Sequence, residues 1–194
     1  MCARFEQNAP PGDLEKRFGL DVPPPTPNQL ELRPTDLALV IASDATKLLT
    51  WGLSVDWDSK PIINARGESL TQKKTFRDLL ENRCLVPATA YFEWRRDGSG
   101  NHKNRIETAI EDIFTLAGIM DGDRFTIITC APAPPIAHIH NRMPVILESA
   151  AEASWIDTAA TFADVSELLI PYKAGPLKAE EETPPPPRQP DLFG

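Results

Sequence analysis

The chain has 194 residues, 41% hydrophobic and 25% charged, which suits one packed domain and excludes global disorder. No apolar run nears the ~20 residues of a membrane span, and the opening Met1-Cys2-Ala3-Arg4-Phe5 carries no apolar leader. Three cysteines (Cys2, Cys84, Cys130) without paired spacing exclude a disulfide scaffold and point to a reducing cytoplasm. The net charge of −8 is uneven. Between Lys60 and Arg105 ten Lys or Arg stand against five Asp or Glu, a local +5, which leaves −13 for the remainder. Such a segment can hold a phosphate backbone; a solvated mixed-charge surface fits the same numbers.

Along the chain, prolines punctuate the first thirty residues, and Asp13–Phe18 reads as a short helix closed by Gly19. Leu37–Ala42 and Leu48–Trp51 read as buried strands. Thr75–Asn82 has the pattern of a helix with Thr75 as its cap. Strand-like runs follow at Leu85–Trp94, Ile113–Ile119 and Phe125–Cys130. Ser149-Ala-Ala-Glu152 has the form of a capping box opening a helix that carries Trp155 and Ile156, and a last helix is expected over Phe162–Leu169. Strands outnumber short helices and crossover units are scarce. The expected class is α+β, a mainly antiparallel, curled or barrel-like sheet with short flanking helices. The domain is expected over 2–178. From 179 onward the acids Glu180–Glu182, then Pro184–Pro187, read as a disordered tail.

Four places could carry chemistry. Cys2 becomes an N-terminal cysteine once Met1 is removed, with a free amine beside a thiol. The amine, at a pKa of ~7.7–8.0, is partly free base at neutral pH. Such a group condenses with an aldehyde, first as a Schiff base and then as a thiazolidine; it could equally attack an amide. An incidental second residue is the plain alternative. In Pro61-Ile-Ile-Asn64-Ala-Arg66-Gly-Glu68, Asn64 and Arg66 share a strand face, suited to orienting an amine and holding a phosphate. In Tyr91-Phe-Glu93-Trp94-Arg95, alternation puts Tyr91, Glu93 and Arg95 on one face. A carboxylate in an aromatic run is a candidate general acid/base or a structural ion pair. In Ala137-His138-Ile-His140-Asn-Arg142, alternation puts His138 and His140 on one face. Without paired cysteine spacing no metal is expected, and His140 as proton donor with Arg142 on a phosphate fits better.

Taken in order, Met-Cys-x-Arg, Trp-Gly-Leu-x-x-x-Trp, Asn-Ala-Arg-x-Glu, Arg-Cys-Leu-x-Pro-Ala…Phe-Glu-Trp and Ile-His-x-Arg-Met-Pro-Val-Ile-Leu resemble the SRAP family (SOS response-associated peptidase), the abasic-site processing proteins. The resemblance covers residues 2–157. It implies a barrel-like α+β fold and covalent capture of abasic sites in single-stranded DNA as a thiazolidine, shielding them during replication or repair. It further implies catalytic roles for Cys2, Asn64, Glu93 and His140, with possible lyase and self-processing peptidase activity. Arg4, Arg66 and Arg142 would contact phosphates, and Trp57 and Trp94 would stack on bases. Ala3 stands where the family usually has glycine. No cofactor is implied, and a monomer in the nucleoid-containing cytoplasm is expected. An N-terminal-nucleophile amidohydrolase is the alternative; a single-strand binder that makes no use of Cys2 is a third reading. In the tail, Gln189-x-Asp191-Leu192-Phe193 resembles the peptide by which bacterial repair proteins dock on the sliding clamp.

Overall fold

A computed structural model describes residues 2–20, 29–43 and 45–182. The first half runs β1 (Arg4–Gln7), α1 (Pro11–Phe18), β2 (Gln29–Leu32), β3 (Leu37–Ile41), β4 (Thr46–Trp51), β5 (Leu53–Val55), β6 (Asp58–Ile62) and β7 (Asn64–Arg66). Next come α2 (Lys74–Arg77), β8 (Arg83–Ala88), β9 (Ala90–Asp97), β10 (Gly100–Thr108), β11 (Phe114–Asp121) and β12 (Arg124–Cys130). The last are β13 (Met143–Pro144), β14 (Ile146–Leu147), α3 (Ser149–Ile156), α4 (Phe162–Val165) and β15 (Leu177–Glu181).

One sheet closes on itself. Its strands β12, β4, β3, β8 and β11 form a ring through the β11–β12 pairing, and β7, β13 and β14 extend it. The second sheet, in the order β15-β10-β9-β1-β2, is antiparallel throughout. In the first, β12 lies parallel to β4 and β7, while the other pairs are antiparallel. The α+β, barrel-like class expected from the sequence therefore stands.

Burial explains the pattern. Every residue of β8 is buried, so Leu85, Val86 and Ala88 face protein on both sides and the strand reads as a continuous apolar run. In the middle of β11, Gly118 leaves room for the neighbouring strand: a Cβ there would lie 2.8 Å from Cys84 Sγ and 3.2 Å from the Thr126 carbonyl oxygen. Phe5 of β1 packs edge-on against Trp51 of β4, ring centroids 4.9 Å apart, and so ties the second sheet to the ring beside Cys2.

Several expected elements change form. The Leu85–Trp94 run is two strands in different sheets, broken at Thr89, whose hydroxyl donates to Glu6 (2.8 Å). Helix α2 stops at Arg77, and Thr75 is not its cap; Lys73 is, with no side-chain bond. Helix α3 forms, but not through a Ser149–Glu152 box. Glu152 is buried, held by both Arg17 Nη atoms (2.9 and 3.0 Å) and the Thr115 hydroxyl (2.8 Å). The real capping box is Thr161 with Asp164, and the expected Phe162–Leu169 helix is α4 followed by a 3-10 turn. The boundary after residue 178 falls inside β15, which pairs with β10 through Glu181, so residues 179–181 belong to the sheet. Gln189, Leu192 and Phe193 lie outside the described residues.

Candidate active site

Strand β1 begins at Arg4 and pairs with β9 only from Ala90 to Phe92. Beyond that point the edge of β9 borders a cleft of about 500 Å³ lined by Ala3, Glu93, Trp94, Arg96, Ile139, His140 and Asn141. Cys2, next to the lining residue Ala3, is fully buried, its thiol 3.5 Å from the Arg4 carbonyl oxygen. Asn64 heads β7, where the parallel pairing to β12 fixes it opposite Ile127. Its side-chain amide donates to the Cys2 carbonyl oxygen at 2.7 Å. Its other end, Oδ1, is buried and accepts no hydrogen bond from the described residues.

Glu93 in β9 has only 2% exposure, and Tyr91 and Phe92 before it are enclosed as well, so the strand is covered on both faces there. Burial pushes Glu93 up to about 7, against the amino-terminal charge and hydrogen bond and, less, a hydrogen bond from the Trp94 amide, all of which favour the anion. Burial and then the Glu93 charge push the Cys2 thiol well above its ordinary range. The Tyr91 hydroxyl is likewise raised by burial, with Cys2 and Glu93 adding to it, and makes no hydrogen bond to the described residues.

His140 Nδ1 lies 3.9 Å from Glu93 Oε1. The same nitrogen lies 3.0 Å from the Arg142 backbone N–H and 3.1 Å from the Arg142 carbonyl oxygen, so the backbone of Arg142 orients the ring. Burial depresses the imidazole pKa, helped by the amino-terminal charge and the Arg96 and Arg142 guanidiniums. His138 does not share its face. Residues 134–139 form a 3-10 turn and its continuation, not a strand, and His138 points to solvent. Among the described residues no group of three or more His, Cys, Asp or Glu side chains could hold a metal ion.

The nominated cations are differently placed. Arg142 grips both oxygens of Glu68 (2.7 and 2.8 Å) and donates to the Thr129 carbonyl oxygen. Arg4 is paired with Glu31 at 2.7 Å. Arg66 is exposed at the end of β7. Trp94 lines the cleft, whereas Trp57, 70% exposed, sits in the β5–β6 hairpin. The sequence reading missed Arg96. It stands two residues beyond Trp94 on the same strand face, a signal that alternation could have supplied.

The model of the family described as SOS response associated peptidase (SRAP) matches residues 1–182. The abasic site processing protein YoqW of Bacillus subtilis (strain 168) is 32% identical, with 92% of this chain and 91% of that protein covered. The abasic site processing protein YedK of Escherichia coli (strain K12) is 26% identical, with 87% and 85% covered. A crystal structure from Bacteroides thetaiotaomicron superposes with a TM-score of 0.82 at 26% identity, covering 93% of this chain and 91% of that one. With its sheet architecture, its cleft and the match along nearly its whole described length, the chain belongs to the SRAP family.

Proposed function

We propose that this protein captures abasic sites in single-stranded DNA through the N-terminal amine and thiol of Cys2, once Met1 has been removed. The reading rests on one observation. Asn64 holds the Cys2 carbonyl oxygen at 2.7 Å, Glu93 and His140 line one cleft 3.9 Å apart, and the Glu93 carboxyl, at about 7, lies close enough to act on the Cys2 thiol. The names of the relatives agree with it.

The chemistry balances without a cofactor. The Cys2 amine attacks the ring-opened aldehyde of the sugar, and Glu93 as its acid gives a proton to the departing hydroxyl. Water leaves and a Schiff base remains. Glu93, now a carboxylate, takes the thiol proton as sulfur adds to the same carbon, closing the thiazolidine. A group at about 7 is suited to both duties at neutral pH. Asn64 Oδ1 is an unused buried acceptor beside Cys2, able to take an N–H of the freed amine. His140, on the cleft wall, serves the sugar oxygen as proton donor during ring opening.

A thiol driven up by burial and a neighbouring carboxylate is a poor resting thiolate, which weighs against the amidohydrolase reading. The test is a denaturing gel of the mature protein with an abasic oligonucleotide. A shifted band absent in Cys2→Ala is expected; an unshifted wild type that hydrolyses amides would reverse the choice. Clamp docking through Gln189, Leu192 and Phe193 is a separate proposal from the sequence. A Thr183–Gly194 peptide should bind a bacterial clamp in the micromolar range and lose binding with Leu192→Ala and Phe193→Ala together.

A further inference from the structure

Several cations of the 60–105 segment are already engaged by carboxylates. Lys103 is held by Glu31 (2.6 Å) and Glu182 (2.8 Å), and Arg105 by Glu6 (3.1 Å) and Glu107. Arg95 is held by Glu181 (2.8 Å) and Asp97. The nominated Arg4 and Arg142 are likewise closed by Glu31 and Glu68. A phosphate approaching any of these five must first displace a carboxylate.

Arg96 is placed otherwise. Among the described residues lining the cleft it is the only lysine or arginine, and no carboxylate of those residues lies within ion-pair distance of it. Its position follows from the strand. β9 runs to Asp97 while its β1 partner ends opposite Phe92, so the segment from Glu93 onward borders the cleft. Trp94 and Arg96 are one strand repeat apart, about 6.6 Å, on one face. That presents a ring for stacking and a guanidinium beyond it, a spacing suited to neighbouring parts of one extended nucleotide. The guanidinium is also close enough to His140 for its charge to lower the imidazole's basicity.

We propose that Arg96 is the positioning cation of the site: it holds the phosphate flanking the abasic sugar and sets that sugar against His140. The inference rests on the DNA-capture reading above. A guanidinium matches phosphate with two parallel N–H donors, and an unengaged one on the open rim of the cleft meets the strand with no ion pair to break. A second consequence follows from charge. The groups facing His140 are Glu93, Arg96, Arg142 and the amino-terminal charge. A phosphate on Arg96 cancels one of the cations that depress His140, so the imidazole becomes easier to protonate when DNA is bound than when the cleft is empty.

The experiment compares the mature wild type with Arg96→Gln and Arg96→Lys on an abasic single strand and on a small aliphatic aldehyde. Arg96→Gln should weaken DNA binding roughly tenfold at low salt and flatten the slope of log K against log salt by about 0.7, one single-strand phosphate contact. Reaction with the small aldehyde, which has no phosphate, should fall far less than capture of the strand does. Arg96→Lys should restore most of the salt slope. If the wild type binds in a salt-dependent way and Arg96→Gln matches it in affinity and slope, the assignment is overturned while the capture reading survives. If the wild type neither binds nor crosslinks, the capture reading falls and this assignment with it.

Discussion

Arg83 at the start of β8 and Glu93 in β9 are ten residues apart, both charged and both buried, with exposures of 4% and 2%. Their surroundings are opposite. Arg83 donates to the carbonyls of Trp155 (2.6 Å), Asp157 (2.8 Å), Ala160 (2.6 Å) and Leu80 (3.2 Å) and pairs with Glu81. The first three are carbonyls that the end of α3 and the loop after it leave without helical partners, so one guanidinium closes the helix terminus. Glu93 instead sits where burial outweighs its hydrogen bonding, and its carboxyl is pushed to about 7. A buried charge that is fully solvated by protein is structural. One left short of that solvation is poised to exchange a proton.

The strongest way to break this contrast is to remove Arg83. Arg83→Leu strands the buried Trp155 carbonyl, at ~1–3 kcal/mol, and removes a donor from three partly buried ones, so a loss of roughly 4 kcal/mol and a fall in Tm of about 10 °C are expected. Below that Tm the crosslinking rate should be unchanged. A variant as stable as wild type would remove the structural half of the comparison.

Glu93→Gln should do the reverse. Crosslinking should slow by about 10²-fold or more while affinity for undamaged single strands holds. Stability should shift with pH in a defined sense. A carboxyl raised from its ordinary 4.5 to about 7 costs nothing below pH 4.5, and its penalty grows until pH passes 7. At ~1.4 kcal/mol per unit, Glu93→Gln should gain on the order of 2–3 kcal/mol over wild type at pH 8 and nothing at pH 4.5. Melting curves at the two pH values check this, and an equal difference at both would contradict it.

His140→Ala sharpens the division of labour within the site. It should react with a small free aldehyde at near the wild-type rate, yet capture the closed abasic sugar about tenfold more slowly. Equal impairment on both would remove the ring-opening role. The smallest effect is expected of Arg66→Ala: a modest loss of affinity for all single strands, with a slope flatter by about 0.7. An unchanged slope would make Arg66 a surface residue only.

How much of this was legible in the sequence depended on whether local geometry decided the outcome. In β9 both faces are covered from Ala90 to Glu93, Phe92 as fully as Tyr91 and Glu93, so alternation alone could not mark the buried side. The same rule failed at His138 and His140 because Pro134 and Pro135 open a 3-10 turn there, and the period is no longer two. The Ser149–Glu152 box failed for another reason. Glu152 is drawn into a buried pair with Arg17, 135 residues away, which outcompetes a local cap. The partners of Arg142 and Lys103 are also distant in sequence, so a basic segment could be counted but not its free cations. Arg96 emerged only once those partners were known.

The central claim is that Cys2 bonds the sugar through both nitrogen and sulfur. Intact-mass analysis of the mature protein with an abasic oligonucleotide, without reductant, tests it most directly. The account predicts a stable adduct whose mass is protein plus DNA minus one water, mapping to the Cys2 peptide and leaving no free amine or thiol there. Cys2→Ala should form an adduct only when a reductant traps the Schiff base. A stable adduct of Cys2→Ala without reductant, or one mapping to another residue, would contradict the claim.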